Sequence, residues 1–581
     1  MDASGHTPRR LPRRALLRQT VSALGFLASI PLLAACGSAA PAAPAAGATS
    51  PASASGATPA AAAPPTGGSG GKLVLPTYVP IELVTPDLPG TAAGVDPGYL
   101  TFPRTLVKSV SETPSHGGDV EVFTRVILAA PPALEAKQAW QAVNRAIGAN
   151  MKLNMVPTAE YNTKLATTIA STDIPDMVFL SSLQILGIPQ FLQKACADLT
   201  PYVAGDAVKD YPNLANIPPI AWKQTVYNNG IYGVPIPRPY VQGIWYVNQS
   251  RFESIGAGQP KDGAEFKQIL QQLTNPSASQ WGISGDASYA FGLTGITSVP
   301  QLAMFRAPNN WKVDSSGKFI KDIETDEFKA ALAYTRDLWA SGVFYADALT
   351  TTSSENKLNL VAGRFAVYPD GWFSYPAEYW DRGLKLNPPV KFRTLHPFSN
   401  DGGAPIWHQY QAFNGMTAIK QGSPERIKEM LRILNYLAAP FGSEEAFLLE
   451  FGVKDVDYTL DANGNPVLTA QGQADTTVSW RYMAQRPQIL FDANDPEFAH
   501  VAHADEETII PVIIPDPSLG LISTTNQSKS GVLLKNFTDA LVDFVVGRRP
   551  LSEYDSLVSD WRSNGGEQMR TEFQQAYAAQ A

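Results

Sequence analysis

The residues best suited to chemistry are aromatic side chains that stand beside polar or charged ones in three short segments. These are Arg238-Pro239-Tyr240 with Trp245 close by, Asp370-Gly371-Trp372 with Tyr375, and Trp407-His408-Gln409-Tyr410. Flat aromatic faces pack against the C–H groups of a sugar ring, and a few fixed polar groups satisfy its hydroxyls. The segments therefore predict a carbohydrate site, with candidate residues Trp372, Asp370, Tyr375, Trp407, Tyr240, Arg238 and Trp245.

Each candidate also has a structural interpretation. A tryptophan packs in a core more often than it binds a ligand, and Arg238 is equally consistent with an ion pair between lobes. Trp372 is the strongest site candidate because Gly371 favours a loop, where an aromatic residue has little reason to be buried. Three other tryptophans lie on predicted helices and are expected to pack: Trp140, Trp339 and Trp561.

Metal-binding patterns are weak. His500 and His503, with Glu506 and Glu507 one turn later, could share one face of a helix and bind a metal, although a solvated helix face has the same pattern. We expect no metal and no cofactor.

The run Asp461-Ala462-Asn463-Gly464-Asn465 is similar to the start of a calcium loop. However, Pro466 stands where such a loop requires glycine, and Gly472 stands at its closing acidic position. A β-hairpin turn is the better interpretation.

Carboxylates near Trp372 make an enzyme the alternative to a protein that only binds a carbohydrate. Asp370, Glu378 and Asp381 could supply the acidic pair of a glycosidase, but their spacing alone does not discriminate. A secreted carbohydrate-active enzyme is therefore the second hypothesis, and a surface adhesin is the third.

The N-terminus has the order of an export signal. A basic stretch precedes an apolar run over 21–33, which is shorter than the ~20 residues that span a bilayer. Leu33-Ala34-Ala35-Cys36 then resembles a bacterial lipobox, in which cleavage after residue 35 leaves an acylated Cys36. This predicts a protein anchored by lipid at the outer face of the cytoplasmic membrane.

Composition and charge argue against nucleic acid as a partner and against an internal disulfide. Without the five arginines and Asp2 of the signal, 40 basic residues face 52 acidic ones, a net charge of −12, so nucleic acid is not an expected partner. The chain has two cysteines, and with Cys36 acylated Cys196 has no disulfide partner. We expect Cys196 to pack at a helix end.

The chain divides into a signal (1–35), a tether and a folded part. Residues 36–71 consist almost entirely of Ala, Pro, Ser, Thr and Gly, which cannot form a core. Residues 72–117 are rich in proline and predict an extended arm on the globular body.

From residue 119 the pattern alternates between strands and helices. Strands are predicted at 120–130, 152–156 and 176–180 and a helix at 132–147, which indicates a mainly parallel sheet covered on both faces. Ligands bind beyond the carboxyl ends of such strands, so Ser181 and Ser182 become site candidates. Ser423 and Thr325 are predicted to cap later helices.

Several motifs along the chain resemble one family. They are Gly230-Ile231-Tyr232-Gly233-Val234-Pro235, Gly243-Ile244-Trp245-Tyr246-Val247-Asn248, Phe365-Ala366-Val367 before Asp370-Gly371-Trp372, Tyr458-Thr459-Leu460-Asp461 through Pro466, and Gly547-Arg548-Arg549-Pro550-Leu551. In this order they resemble the extracellular solute-binding proteins of ABC importers, family 1, and within them the LipO-type lipoproteins. The resemblance runs from about residue 72 to the C-terminus.

The resemblance implies a periplasmic-binding-protein-like II α/β fold, in which two discontinuous lobes joined by hinge strands close over a ligand cleft. It implies crossings near 237–241 and 393–398. Lobe 1 would comprise 118–237 and about 397–440, and lobe 2 would comprise 238–396 and 441–581 with the C-terminal helices.

The resemblance also implies the function. The protein would be a monomeric binding component that captures an oligosaccharide and delivers it to the permease subunits of an ABC importer, without catalytic residues. Sugar-binding members of the family often place a stacking tryptophan at the position of Trp372.

Overall fold

The structure is a computed structural model that describes residues 73–126, 136–171, 173–241, 243–381, 383, 391–462, 464–476, 478–493 and 495–579. The predicted signal, Cys36 and the tether lie outside the described residues, so their interpretation stays a prediction. None of the helices within the described ranges is both long and apolar enough to span a membrane.

The strands, in chain order, are β1 (Asp119–Val126), β2 (Asn150–Pro157), β3 (Met177–Leu180), β4 (Val226–Tyr227), β5 (Gly230–Ile231), β6 (Val234–Pro237), β7 (Gly243–Asn248), β8 (Trp281–Ile283), β9 (Trp311–Val313), β10 (Phe319–Lys321), β11 (Phe365–Gly371), β12 (Phe392–Thr394), β13 (Trp407–His408), β14 (Phe413–Ile419), β15 (Tyr458–Leu460), β16 (Pro466–Leu468) and β17 (Ile513–Ile514).

The α-helices are α1 (Gln138–Ile147), α2 (Thr158–Ala170), α3 (Ile188–Ala195), α4 (Thr200–Val203), α5 (Pro212–Ala215), α6 (Pro219–Lys223), α7 (Gln249–Ser254), α8 (Gly263–Gln272), α9 (Ser298–Met304), α10 (Asp326–Ala340), α11 (Ser353–Val361), α12 (Pro424–Leu437), α13 (Glu444–Phe451), α14 (Ala470–Asp475), α15 (Glu497–Ile509), α16 (Thr524–Val545), α17 (Tyr554–Trp561) and α18 (Glu567–Ala578).

The first lobe is built on a sheet with the strand order β2-β1-β3-β14-β6. β1 runs parallel to β2 and β3, whereas β14 lies antiparallel between β3 and β6. All four residues of β3 are buried, as expected for a strand covered on both faces. The predicted alternation of strands and helices is thus confirmed, with one antiparallel strand returning late in the chain.

The second lobe is built on a sheet with the order β12-β7-β11-β8. β7 is antiparallel to β11 and β12, and β11 is parallel to β8. Every residue of β7 and β11 is buried, so apolar side chains cover both faces of this sheet too. The two-lobed α/β fold expected from the resemblance is present.

The crossings between lobes follow from sheet membership. The chain leaves the first sheet at Pro237 and enters the second at Gly243, in the stretch where the sequence predicts the first crossing. The return comes later than the predicted 393–398, because 392–394 still pairs with β7 and Phe398 packs on Trp245. The first sheet resumes only at Phe413.

The division of the C-terminal part also differs from the expected one. Trp480 stacks on Trp140 of α1, with ring centroids 5.1 Å apart, and Met483 packs in the same core. Helix α13 lies against α1 as well. Residues 441–484, which the sequence assigns to lobe 2, therefore pack on the first lobe.

Local signals predict helix starts well. The Ser423 side chain accepts a hydrogen bond from the Arg426 N–H at the start of α12, and the Thr325 side chain accepts one from the Phe328 N–H at the start of α10. Both caps are confirmed. Cys196 is buried directly after α3, as predicted, and burial raises its pKa to about 12.

Residues 73–117 follow the body without helices or extended strands of their own. The Thr77 N–H donates to the Gly205 carbonyl at 2.9 Å, and the Tyr99 N–H donates to the Leu490 carbonyl at 2.9 Å. Phe102 inserts its ring beside Phe441, with centroids 5.1 Å apart. These contacts attach the arm to both lobes.

Candidate functional site

One edge of the first sheet gathers polar groups from distant parts of the chain. Arg125 is the penultimate residue of β1, and Ser181 and Ser182 directly follow β3. Arg238 directly follows β6. The carboxyl ends of parallel strands share one edge of a sheet, which is where ligands bind in α/β folds.

A cavity of about 590 Å³ opens at this edge. The first lobe contributes Ser182, Gln224 and Phe413, and the second contributes Asn309 and Trp311. Tyr410, in the return crossing, lines it as well. Its size and its mixture of amide groups with aromatic rings suit a small polar ligand that has apolar faces.

Hydrogen bonds join the two lobes beside this cavity. The Asn526 side-chain amide donates to Gln184 Oε1 at 3.1 Å, and the Gln527 side-chain amide donates to the Leu183 carbonyl at 2.8 Å. Gln184 in turn donates to the Leu521 carbonyl. The loop after β3 is thus attached to the start of α16 across the cleft.

An arginine-rich region continues the site from Tyr410 along the same edge. The Arg125 guanidinium lies 4.5 Å from the centre of the Tyr482 ring and donates to Asn414 Oδ1 at 2.9 Å. Arg238 lies 4.7 Å from the centre of the Phe373 ring. Because Phe373 follows β11, this stacking contact links the first lobe to the second.

The main site candidate from the sequence, Trp372, lies in a core. Its side chain is 4 % exposed and packs 5.6 Å from the Tyr375 ring, which is fully buried. The expectation that Gly371 leaves this aromatic residue open is wrong, because Gly371 is the last residue of a buried strand and the chain turns only after it. The adjacent Phe373, 41 % exposed, is the ring available to the cleft.

Asp370 serves the same core. It lies 3.0 Å from Lys357 Nζ and accepts a hydrogen bond from the Tyr379 hydroxyl at 2.7 Å. These contacts use the carboxylate structurally. Asp370 therefore gives no support to the suggested glycosidase pair. The side chain of Asp381 lies outside the described residues.

Trp245 and Trp407 are also buried. Trp245 packs on Phe266 and Phe398, with ring centroids 4.8 and 5.6 Å away. Trp407 lies in β13, which pairs with β17. Both tryptophans therefore fit the packing interpretation.

The remaining candidates lie near the cleft. Ser182 lines the cavity and Ser181 precedes it, each half-buried. Tyr240 is half-buried and its ring lies against Gly94 of the arm, where a Cβ would come within 2.6 Å of the Tyr240 ring. Arg238 reaches Gln485 Oε1 at 2.6 Å, so its partner is an amide and not the carboxylate of an interlobe ion pair.

The histidine pattern on α15 holds the arm. His503 Nε2 lies 3.0 Å from the Pro89 carbonyl, and Glu506 accepts a hydrogen bond from the Asp96 N–H at 2.7 Å. Within the described ranges, no three His, Cys, Asp or Glu side chains are grouped closely enough to hold a metal ion. The run from Asp461 forms the turn between β15 and β16, which confirms the predicted hairpin.

Sequence reasoning missed Arg125, Phe373 and Tyr482. Arg125 carried a usable signal, since it is a charged residue close to the end of a predicted strand, where α/β folds place ligand contacts. Tyr482 had none, because only the tertiary fold brings it beside Arg125.

Comparison with known proteins identifies the family. Residues 138–443 match the family described as bacterial extracellular solute-binding protein, which covers more than half of the chain. The chain belongs to this family. The resemblance noted in the sequence is thereby confirmed.

Two curated relatives come from Bacillus subtilis (strain 168). The polygalacturonan/rhamnogalacturonan-binding protein YtcQ is 21 % identical over 460 residues, which cover 76 % of this chain and 88 % of the relative. Lipoprotein LipO is 22 % identical over 465 residues, covering 75 % of this chain and 88 % of the relative.

A solved structure shares the fold. The alginate-binding protein AlgQ2, in its structure without calcium ion, superposes with a TM-score of 0.60 at 13 % identity. The superposition covers 81 % of this chain and 100 % of that one. At this identity the likeness establishes the fold alone.

Proposed function

We propose that this protein is the lipid-anchored binding component of an ABC importer, which captures an oligosaccharide between its lobes outside the cytoplasmic membrane and delivers it to the permease. The observation that carries the proposal is the cavity of about 590 Å³ at the carboxyl edge of the first sheet, bounded by both lobes. A ligand there contacts both lobes and so favours the closed state.

The chemistry of the lining supports a carbohydrate. Trp311, Tyr410 and Phe413 supply aromatic surface, while Gln224 and Asn309 supply amide groups for hydroxyls. Relatives point the same way, since YtcQ is named for binding polygalacturonan and rhamnogalacturonan and AlgQ2 for binding alginate.

Binding without catalysis is part of the proposal. The carboxylate favoured for a glycosidase, Asp370, is buried beside Lys357 and Tyr379 in the second lobe. We therefore expect a bound oligosaccharide to be recovered intact after prolonged incubation. Appearance of hydrolysis products that an Asp370→Asn variant no longer forms would favour the enzyme instead.

The anchor rests on the sequence motif at Cys36 and on the relative LipO, which is named a lipoprotein. In this proposal the acylated Cys36 holds the tether at the outer face of the membrane, and the monomeric body binds its ligand free of the lipid.

A thermal-shift screen with short oligosaccharides, followed by calorimetric titration, tests the function. A ligand that binds only the folded protein at 100 times its Kd stabilises it by about 2.7 kcal/mol. Tyr410→Ala should weaken binding of the selected sugar at least roughly 10-fold by removing an aromatic contact. Tyr577→Ala is the matched control, since that ring is exposed on α18. Absence of any stabilising sugar, or equal losses in both variants, would contradict the proposal.

A further inference from the structure

Three arginines lie together at the cleft edge of the first lobe. Arg125 and Arg481 both approach the Tyr482 ring, at 4.5 and 5.3 Å from its centre. Arg238 lies near enough to feel their charges: burial first, and then Arg481 and Arg125 among its neighbours, lower its pKa to about 10. The Arg238 guanidinium therefore remains charged at neutral pH.

This cluster has no acidic partner among the residues that the structure describes. The titratable neighbours of Arg125 and Arg238 are tyrosines and other arginines, and no Asp or Glu of the described residues lies within ion-pair distance of Arg125, Arg238 or Arg481. Two other partly buried arginines do have a carboxylate partner. Arg570 lies 2.6 Å from Glu324, and Arg426 lies 2.8 Å from Asp176. Among the described residues, the cluster thus holds like charges with no carboxylate beside them, in a chain whose overall charge is negative.

Donors at the cluster also lack acceptors. Arg125 Nε and Asn414 Nδ2 are buried atoms without a hydrogen-bond partner in the described part of the chain. Leaving such a donor without an acceptor is unfavourable. A negatively charged ligand group would balance the positive charge of the cluster.

We infer that the oligosaccharide bound by this protein is anionic and that Arg125, Arg238 and Arg481 bind its carboxylate or sulfate groups. This rests on the proposed function and adds the chemical class of the ligand. A planar guanidinium matches a carboxylate or sulfate with two parallel hydrogen bonds. Tyr410, which lines the cavity and lies near Arg125 and Arg238, connects the cluster with the cavity.

The stacked rings hold the arginines in place and do not neutralise their positive charge. Phe373 supports Arg238 from the second lobe, and Tyr482 supports Arg125 from the first. A guanidinium lying on a ring still has its N–H groups free at the edge of its plane to bind an anion. An acidic sugar in the cleft can therefore contact both lobes through charge as well as through aromatic surface.

The test compares each acidic oligosaccharide with its own neutral derivative by calorimetric titration of the wild-type protein. The probes are short oligogalacturonides and alginate oligosaccharides with their carboxyl-reduced products, and short carrageenan oligosaccharides with their desulfated products. We expect one acidic series to bind, its neutral product to bind roughly 10- to 1,000-fold more weakly, and the preference to diminish with added salt. The series that binds distinguishes carboxylate from sulfate.

Variants then assign the charge. Arg238→Gln and Arg125→Gln should each weaken binding of the acidic sugar by roughly 10- to 100-fold, and should weaken binding of its neutral product less. Arg548→Gln removes an exposed arginine paired with Asp543 and serves as the control. Should a glutamine variant fail to fold, Arg238→Lys keeps the charge and loses the planar fork, so a smaller loss is expected.

The outcomes separate this inference from the proposed function. The anionic assignment is overturned if a neutral sugar binds as tightly as its acidic counterpart, or if the affinity for the acidic sugar is the same in the Arg125 and Arg238 variants as in the wild type. Either result leaves the proposed function as a binding protein valid. Failure of all neutral and acidic sugars to bind would overturn both.

Discussion

Trp372 and Phe373 are neighbours in the chain with opposite surroundings, so one pair of alanine variants tests how the site is built. Trp372 is 4 % exposed, within a cluster that includes Tyr375 and Phe498, whereas Phe373 is 41 % exposed and lies against Arg238. Truncating the first should affect stability. Truncating the second should affect binding.

The magnitudes follow from burial. A buried tryptophan removes about 150 to 250 Å² from water, and at about 25 cal/mol per Å² this corresponds to about 4 to 6 kcal/mol as an upper estimate. Trp372→Ala should therefore lower the free energy of unfolding by about 3 to 5 kcal/mol, in line with similar core truncations. Its Kd per folded molecule should change little.

Phe373→Ala should behave in the opposite way. An exposed cation–π contact contributes about 0.5 to 1 kcal/mol, so the free energy of unfolding should fall by less than about 1 kcal/mol. Loss of the ring beneath Arg238 frees that guanidinium in the cleft, and the Kd of the selected sugar should rise roughly 2- to 5-fold.

Urea unfolding and calorimetric titration on both variants measure the two quantities. The reasoning is refuted if Trp372→Ala unfolds at the wild-type urea concentration while its affinity collapses, since Trp372 would then be a ligand platform and not a core residue. Wild-type affinity in the Phe373→Ala variant would show that the Phe373 ring is not part of the binding site.

Three further outcomes are expected. Burial raises the pKa of Glu506 well above its usual range and that of Asp96 to about 7. The stabilising effect of these two groups is therefore full below about pH 4 and is lost as pH rises through about 7. The unfolding temperature should fall over this range, and Glu506→Gln should make that fall smaller. Ser423→Ala removes the acceptor for the Arg426 N–H and should lower the free energy of unfolding by about 1 kcal/mol in urea melts, whereas an unchanged melt would deny the cap. Cys36→Ser should move the protein from the membrane to the soluble fraction with unchanged sugar affinity, and a variant still retained at the membrane would contradict lipidation at that position.

The fold was largely predictable because its signals are local. A capping serine before Pro424 determines where a helix starts regardless of the rest of the chain, and β3 reads as a buried strand from its own four residues. The crossing between lobes was harder to predict. Nothing near residue 393 reveals that β12 pairs with β7, which precedes it by more than a hundred residues.

The site was predictable only where position in a strand implies position at the edge of the sheet. Ser182 and Arg238 follow strands of the first sheet and do lie at the cleft. Trp372 follows the same rule but is buried, because α15, far along the chain, supplies Phe498 to its cluster. Whether an aromatic residue faces a core or a cleft depends on such distant partners, which the local sequence does not contain.

In the proposed function, the position of β14 couples closure of the lobes to recognition of the ligand. This strand inserts between β3 and β6, so the return crossing brings Tyr410 to the middle of the edge, between the cavity and Arg238. A ligand that touches one lobe alone binds the open and closed states equally and shifts neither. Arg238 rests on Phe373 of the second lobe, so in this proposal an anion bound at Arg238 would also favour the closed arrangement. A neutral sugar in the cavity would still contact both lobes, through Phe413 on one side and Trp311 on the other, and an anionic group at Arg238 would add a further contact of this kind.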